Sequence, residues 1–93
     1  MSDWTKNTNK MRQDNNTLVC LFSKDNHDGN EIKRMQNEWD GDVYPKAVNS
    51  VENGTGDIYT LADFQSSVND GTLDVSGWYV IFVNHPDCEK WSK

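Results

Sequence analysis

Thr17–Phe22, TLVCLF, is an unbroken apolar, β-prone run, followed at once by SKDNHDGN, a stretch dense in turn formers. A short run of this kind bounded by turn residues reads as a buried strand ending near Ser23. Its counterpart lies at the other end of the chain: Trp78–Val83, WYVIFV, between Ser76-Gly77 and Asn84-His85-Pro86. Neither run alternates apolar with polar residues, so both strands must be covered on two faces. The second run, six apolar residues without interruption, is expected at the centre of the sheet.

Helices must supply that cover. The firmest lies in TLADFQSSVNDG: Thr60 and Asp63 are spaced as N-cap and N3 partner, Leu61, Phe64 and Val68 share a face, and Gly71 ends the segment. The reading is a helix over 61–69. Asp28 and Glu31 have capping-box spacing, and Ile32, Met35 and Trp39 recur at helical intervals before Gly41. That predicts a short helix over 31–39, with a hairpin turning at Asp28-Gly29 as the rival. For 45–53 two readings stand: a helix opened by Pro45, with Ala47, Val48 and Val51 on one face, or one arm of a hairpin closed at Asn53-Gly54 and paired with 57–60. The fold class is α+β: a small domain over 17–93, preceded by a polar arm over 1–16 without helical or strand period.

At 93 residues the chain has room for one modest core. Its net charge of −6 opposes direct contact with nucleic acid or with anionic membranes, since phosphate binding depends on Lys and Arg. No apolar run approaches a bilayer-spanning length, and MSDWTKNTNK lacks the apolar segment of a secretory leader, so the expected compartment is the cytoplasm.

Catalytic and metal signatures are sparse. Cys20, His27, His85 and Cys88 make one conceivable four-ligand zinc set, but Cys20 sits inside an apolar strand and its spacing to His27 is not that of a knuckle. A core thiol and two solvated histidines are the plainer reading, and no metal or cofactor is expected. Aligned on Gly29, a calcium loop would begin at Lys24 and end on Met35, neither of them a ligand. Glu38, Asp40 and Asp42 could be drawn as a hydrolytic carboxylate pair, although acids this close in a polar loop are ordinary turn residues. Nothing resembles a nucleophile elbow, a phosphate-binding loop or a zinc-protease helix. A small metal-dependent or hydrolytic enzyme therefore stands only as an alternative, and an accessory subunit of a homo-oligomer as another.

The distribution of charge is more informative. Between Glu38 and Asp74 eight acids face a single base, Lys46, a net of −7, whereas residues 1–12 carry Asp3 against Lys6, Lys10 and Arg12. Asp63 and Asp70 lie seven residues apart on one helix, about 10 Å along its axis. Trp39, Tyr44 and Tyr59 fall within the acidic stretch, and aromatic anchors with a charged rim characterise binding surfaces. The expected partner-binding residues are Glu38, Trp39, Asp40, Asp42, Tyr44, Asp57, Tyr59, Asp63, Asp70 and Asp74, and the expected partner is a protein with a basic, nucleic-acid-binding surface. In size, acidity and lack of a catalytic motif the chain resembles the stand-alone inhibitors encoded by phages and mobile elements, including anti-CRISPR and anti-restriction proteins. That resemblance implies a non-enzymatic, counter-defence binder.

Overall fold

A computed structural model describes residues 16–37 and 43–92. The chain runs β1 (Thr17–Ser23), α1 (Gly29–Asn37), α2 (Val43–Glu52), β2 (Gly56–Thr60), α3 (Leu61–Asn69), β3 (Trp78–Asn84), and a closing 3-10 helix, Cys88–Trp91. The strands form one antiparallel sheet in the order β2-β1-β3. The α+β class read from the sequence is the class observed.

β1, not β3, is the central strand. Val19 pairs with Tyr59 on one side and with Phe82 on the other, and the β1–β3 ladder spans Thr17↔Asn84 to Ser23↔Trp78. The expectation that WYVIFV is central is therefore corrected. An unbroken apolar run reports cover on both faces and does not report pairing on both edges. β3 has that cover, and Val80, Ile81, Phe82 and Val83 are at most 2% exposed, while among the described residues its sheet partner is β1.

Alternation along β1 divides the core in two. Leu18, Cys20 and Phe22 join Ile32 of α1, Val43 and Ala47 of α2, Ile58, Ile81, Val83 and Cys88. Val19 and Leu21 project to the opposite face, against Phe64 of α3, Val75, Val80 and Phe82. Each large side chain so buried contributes about 1.5–3 kcal/mol of transfer free energy. Thr17, the buried polar residue of β1, is satisfied: its hydroxyl donates to Asn84 Oδ1 at 3.0 Å and its carbonyl accepts from Cys88 Sγ at 3.5 Å.

Local chemistry sets the boundaries. α1 begins at Gly29, two residues before the sequence estimate, because the Asp28 carboxylate accepts from Asn30 N at 3.1 Å and its carbonyl from Ile32 N at 3.1 Å. The hairpin at Asp28-Gly29 does not form; the expected helix end near Trp39 and Gly41 lies outside the described residues. The segment 43–52 is helical, with Pro45 in the first turn, where a missing N–H costs nothing. Residues 57–60 are in a strand, as the hairpin alternative required, but that strand pairs with β1. α3 matches its predicted span, and Thr60 caps it by accepting from Asp63 N at 3.2 Å.

Gly56 opens β2 where a side chain has no room: a Cβ there would stand 2.7 Å from Leu21 O and 2.7 Å from Ser50 Cβ. Gly77, before β3, has nothing within 4 Å of the same position. Gly56→Ala should therefore destabilise the protein by about 1–3 kcal/mol, as overpacking does, because one of the obstructing atoms is rigid sheet backbone. Gly77→Ala should change stability by less than about 0.5 kcal/mol. Urea midpoints of the two variants check the contrast.

Candidate functional site

An antiparallel sheet with β1 in the middle brings three connections together at one end. β1 leaves the sheet at Ser23, where β2 and β3 enter. Ser23 N donates to Thr55 O at 2.9 Å and Lys24 N to Gly77 O at 3.0 Å, joining the turn after β1 to the α2–β2 and α3–β3 connections. His27 adds a side-chain tie, its Nε2 3.3 Å from Thr55 O, with its ring edge-on to Phe22.

The residues on these connections are strongly acidic. Asp25 and Asp28 lie on the first, Glu52 and Asp57 flank the second, and Asp70 and Asp74 lie on the third; Lys24 is the one Lys or Arg in those stretches, leaving a formal charge of −5. The Lys24 ammonium sits 5.6 Å from the Tyr79 ring centroid. At the opposite end of the sheet, the first turns of α2 and α3 and the segment 85–91 carry Asp63, Asp87 and Glu89 against Lys46 and Lys90 among the described residues. The net there is −1.

Several of the acids have distinct local roles. Asp57 serves the sheet edge: because Tyr59 and Asp57 direct their backbone groups toward β1, the Ile58 N–H points away from it, and the Asp57 carboxylate accepts that N–H at 2.8 Å. Among the described residues β2 is an edge strand, and this bond satisfies an N–H on its outer side. Asp63 lies in the first turn of α3, where the helix dipole favours a carboxylate. Asp74 accepts from Ser76 N at 3.0 Å, and hydrogen bonds from the Ser76 backbone and then its hydroxyl hold the carboxyl below its ordinary range. Asp70 is exposed at the C-cap of α3, the end of the helix at which a negative charge is disfavoured. Among the described residues no hydrogen bond or ion pair of its carboxylate compensates for that placement.

The structure divides the residues predicted from sequence. Asp57, Tyr59, Asp63, Asp70 and Asp74 belong to the half of the molecule built around β2 and α3, with Tyr59 half-buried against the Phe64 cluster. Tyr44 lies on the other face of the sheet. Its ring stacks on His85, with centroids 3.8 Å apart and planes at 11°, and its hydroxyl accepts from Trp91 Nε1 at 3.2 Å. Tyr44 is thus already engaged within its own fold. Glu38, Trp39, Asp40 and Asp42 lie outside the described residues.

Three apolar side chains at the acidic end went unrecognised in the sequence. Val68, Leu73 and Trp78 pack against the Phe64 cluster yet stay partly exposed. Trp78 was absorbed into the strand pattern; its position four residues after Asp74, at the first residue of the strand, was the available signal. Asp25 and Asp28 precede the acidic stretch in sequence and join it only through the sheet, so the sequence marks Asp28 as a helix cap and neither residue as part of the charged surface.

Among the described residues the histidines form no nucleophile–base pair. His27 Nε2 is 3.5 Å from Ser50 Oγ as well as 3.3 Å from Thr55 O. A ring nitrogen that donates to the carbonyl has no lone pair for the serine proton, so the group is a clamp and not a nucleophile–base pair. His27 and His85 follow β1 and β3, which run in opposite directions, and so lie at opposite ends of a sheet about 20 Å long. Cys20 and Cys88 are buried in the core between them. Among the described residues no group of three or more His, Cys, Asp or Glu could hold a metal ion, and no helix is long and apolar enough to cross a membrane. No protein-family model, curated protein or solved structure matches the chain.

Two stability measurements check these roles. Asp70→Lys should raise stability by about 0.3–1 kcal/mol, since a cation replaces an anion at the C-terminus of α3. Asp74, whose folded-state pKa lies below the ordinary carboxylate value, stabilises the fold above that ordinary value and loses the contribution as pH falls through the lowered one. Asp74→Asn, which cannot ionise, should accordingly flatten the acid limb of the stability–pH profile by lowering neutral stability toward its acid value.

Proposed function

We propose that the protein is a non-enzymatic, protein-binding inhibitor that occupies a basic, nucleic-acid-binding surface of its target. The observation that supports this reading is the gathering of six carboxylates against one lysine at a single end of the sheet. A field of one sign concentrated on one end of a small molecule steers it toward a surface of opposite sign and repels phosphate backbones and anionic lipid. A solubilising surface has no need of such concentration, because dispersed charge serves equally well.

Together with its small size and the lack of a catalytic motif in its sequence, this points to counter-defence of the kind encoded by phages and mobile elements, directed at a CRISPR effector or a restriction enzyme. Such a protein excludes DNA by filling the groove that would hold it. Its action requires neither turnover nor cofactor.

The test is competition. Purified CRISPR effectors and restriction enzymes are titrated with the protein in the presence of fluorescent DNA, and DNA release is read by anisotropy. With a susceptible enzyme, release should be stoichiometric and should weaken steeply from 0.05 to 0.3 M salt, because exposed charges are screened beyond about 8 Å at physiological ionic strength. Retention of DNA by every enzyme at tenfold excess and low salt, on the order of the conditions that maximise steering, would remove the reading.

A further inference from the structure

Resting on the reading above, we infer which surface meets the partner: Val68, Leu73 and Trp78 form an apolar centre, Asp57, Asp70 and Asp74 its acidic rim, and the occupant is a basic polypeptide segment with apolar side chains between its cations. The three apolar residues pack against one cluster, around Phe64 and Val75, at the end of the sheet where β3 enters. All three remain partly exposed, whereas Tyr44, one of the aromatic anchors expected from sequence, is engaged by His85 and Trp91. Partly exposed apolar anchors ringed by charge are the composition of an interface centre and its rim.

The backbone carrying the patch is held in place. Trp78 N donates to Val75 O at 3.1 Å, while Thr72 N and Leu73 N both donate to Ser67 O, at 3.0 and 3.1 Å. Gly71, at φ +77°, makes the left-handed turn that ends α3 and starts the loop. Leu73 and Trp78 are therefore presented by a loop with fixed hydrogen bonds, so little ordering is required when a partner binds.

Charge selects the occupant. This end carries −5, so a phosphate chain or an anionic bilayer would be repelled, and a second copy offering the same patch would meet its own sign. A uniformly cationic segment would satisfy the rim and leave the apolar centre wet. Alternation of cations with apolar side chains satisfies both. Asp70 fits this assignment: its carboxylate stands at the disfavoured end of α3 with no compensating contact among the described residues, and a local rule broken in this way is characteristic of a binding position.

Two synthetic octapeptides of equal charge, alternating Arg with Leu and alternating Arg with Ser, are titrated into the ¹⁵N-labelled protein by NMR. Two charge-matched double variants are compared: Asp25→Lys with Asp70→Lys at this end, and Asp87→Lys with Glu89→Lys at the other. The Arg-Leu peptide should bind roughly tenfold tighter than Arg-Ser, shifting the Trp78 indole resonance, because only it fills the apolar centre. Leu73→Ser, its fold verified by its own amide spectrum, should abolish that advantage. The first double variant should weaken Arg-Leu binding about tenfold and the second less than twofold, since charges act through local complementarity. Equal affinity for both peptides, or equal weakening by both double variants, would overturn this patch while leaving an acidic binder in place. Absence of salt-sensitive binding by either peptide would overturn the acidic-binder reading as well.

Discussion

β1 is buried on both faces and paired on both edges, and the rest of the molecule is arranged to satisfy that strand. From Thr17 to Phe22 its residues are at most 1% exposed, so a small chain must roof the sheet twice. α1 and α2, with the 3-10 helix, cover one face; α3 and the loop leading to β3 cover the other. The antiparallel pairing of β1 with both neighbours has a second consequence. Its exit and the entries of β2 and β3 must share an end of the sheet, so three polar connections meet there. What those connections carry determines the character of that end.

The sequence was legible where local chemistry and burial agree. α3 could be read to the residue, because Thr60 and Asp63 cap one end, Gly71 closes the other, and Leu61, Phe64 and Val68 mark the face between. TLVCLF and WYVIFV were legible as strands but not as centre and edge, since the same apolar pattern serves any strand covered twice. For 45–60 the sequence permitted either a hairpin or a helix followed by a strand. The decision falls to β1, which offers 57–60 a longer apolar partner than 47–51 could, and leaves Ala47 and Ser50 to be buried as one helical face.

The charged surface was legible only in part, because grouping along the chain differs from grouping in space. Asp63 lies between Asp57 and Asp70 in sequence, yet the reversal of direction through α3 places it at the opposite end of the sheet. Asp25 and Asp28 precede the acidic stretch and are brought to it by the turn after β1. Trp78 was assigned to the core from its neighbours, although the first residue of an edge strand beside a glycine turn is only partly enclosed. Several of the acids also have structural duties: Asp28 starts α1, Asp57 blocks the edge of β2, and Asp74 shapes the turn into β3. Asp70 has none, and it is the residue whose placement is hardest to explain by folding alone.

The segregation of charge can be measured residue by residue. Paramagnetic relaxation of backbone amides by a cationic nitroxide, divided by that from a neutral nitroxide of the same size, reports the local electrostatic potential at each N–H. The ratio should be highest over 24–28, 52–57 and 70–77, lower over 44–48 and 85–91, and the contrast should shrink as salt shortens the screening length. A ratio equal at the two ends of the sheet, or highest over 85–91, would contradict the claim that, among the described residues, the fold concentrates its negative charge at the end where β1 leaves the sheet.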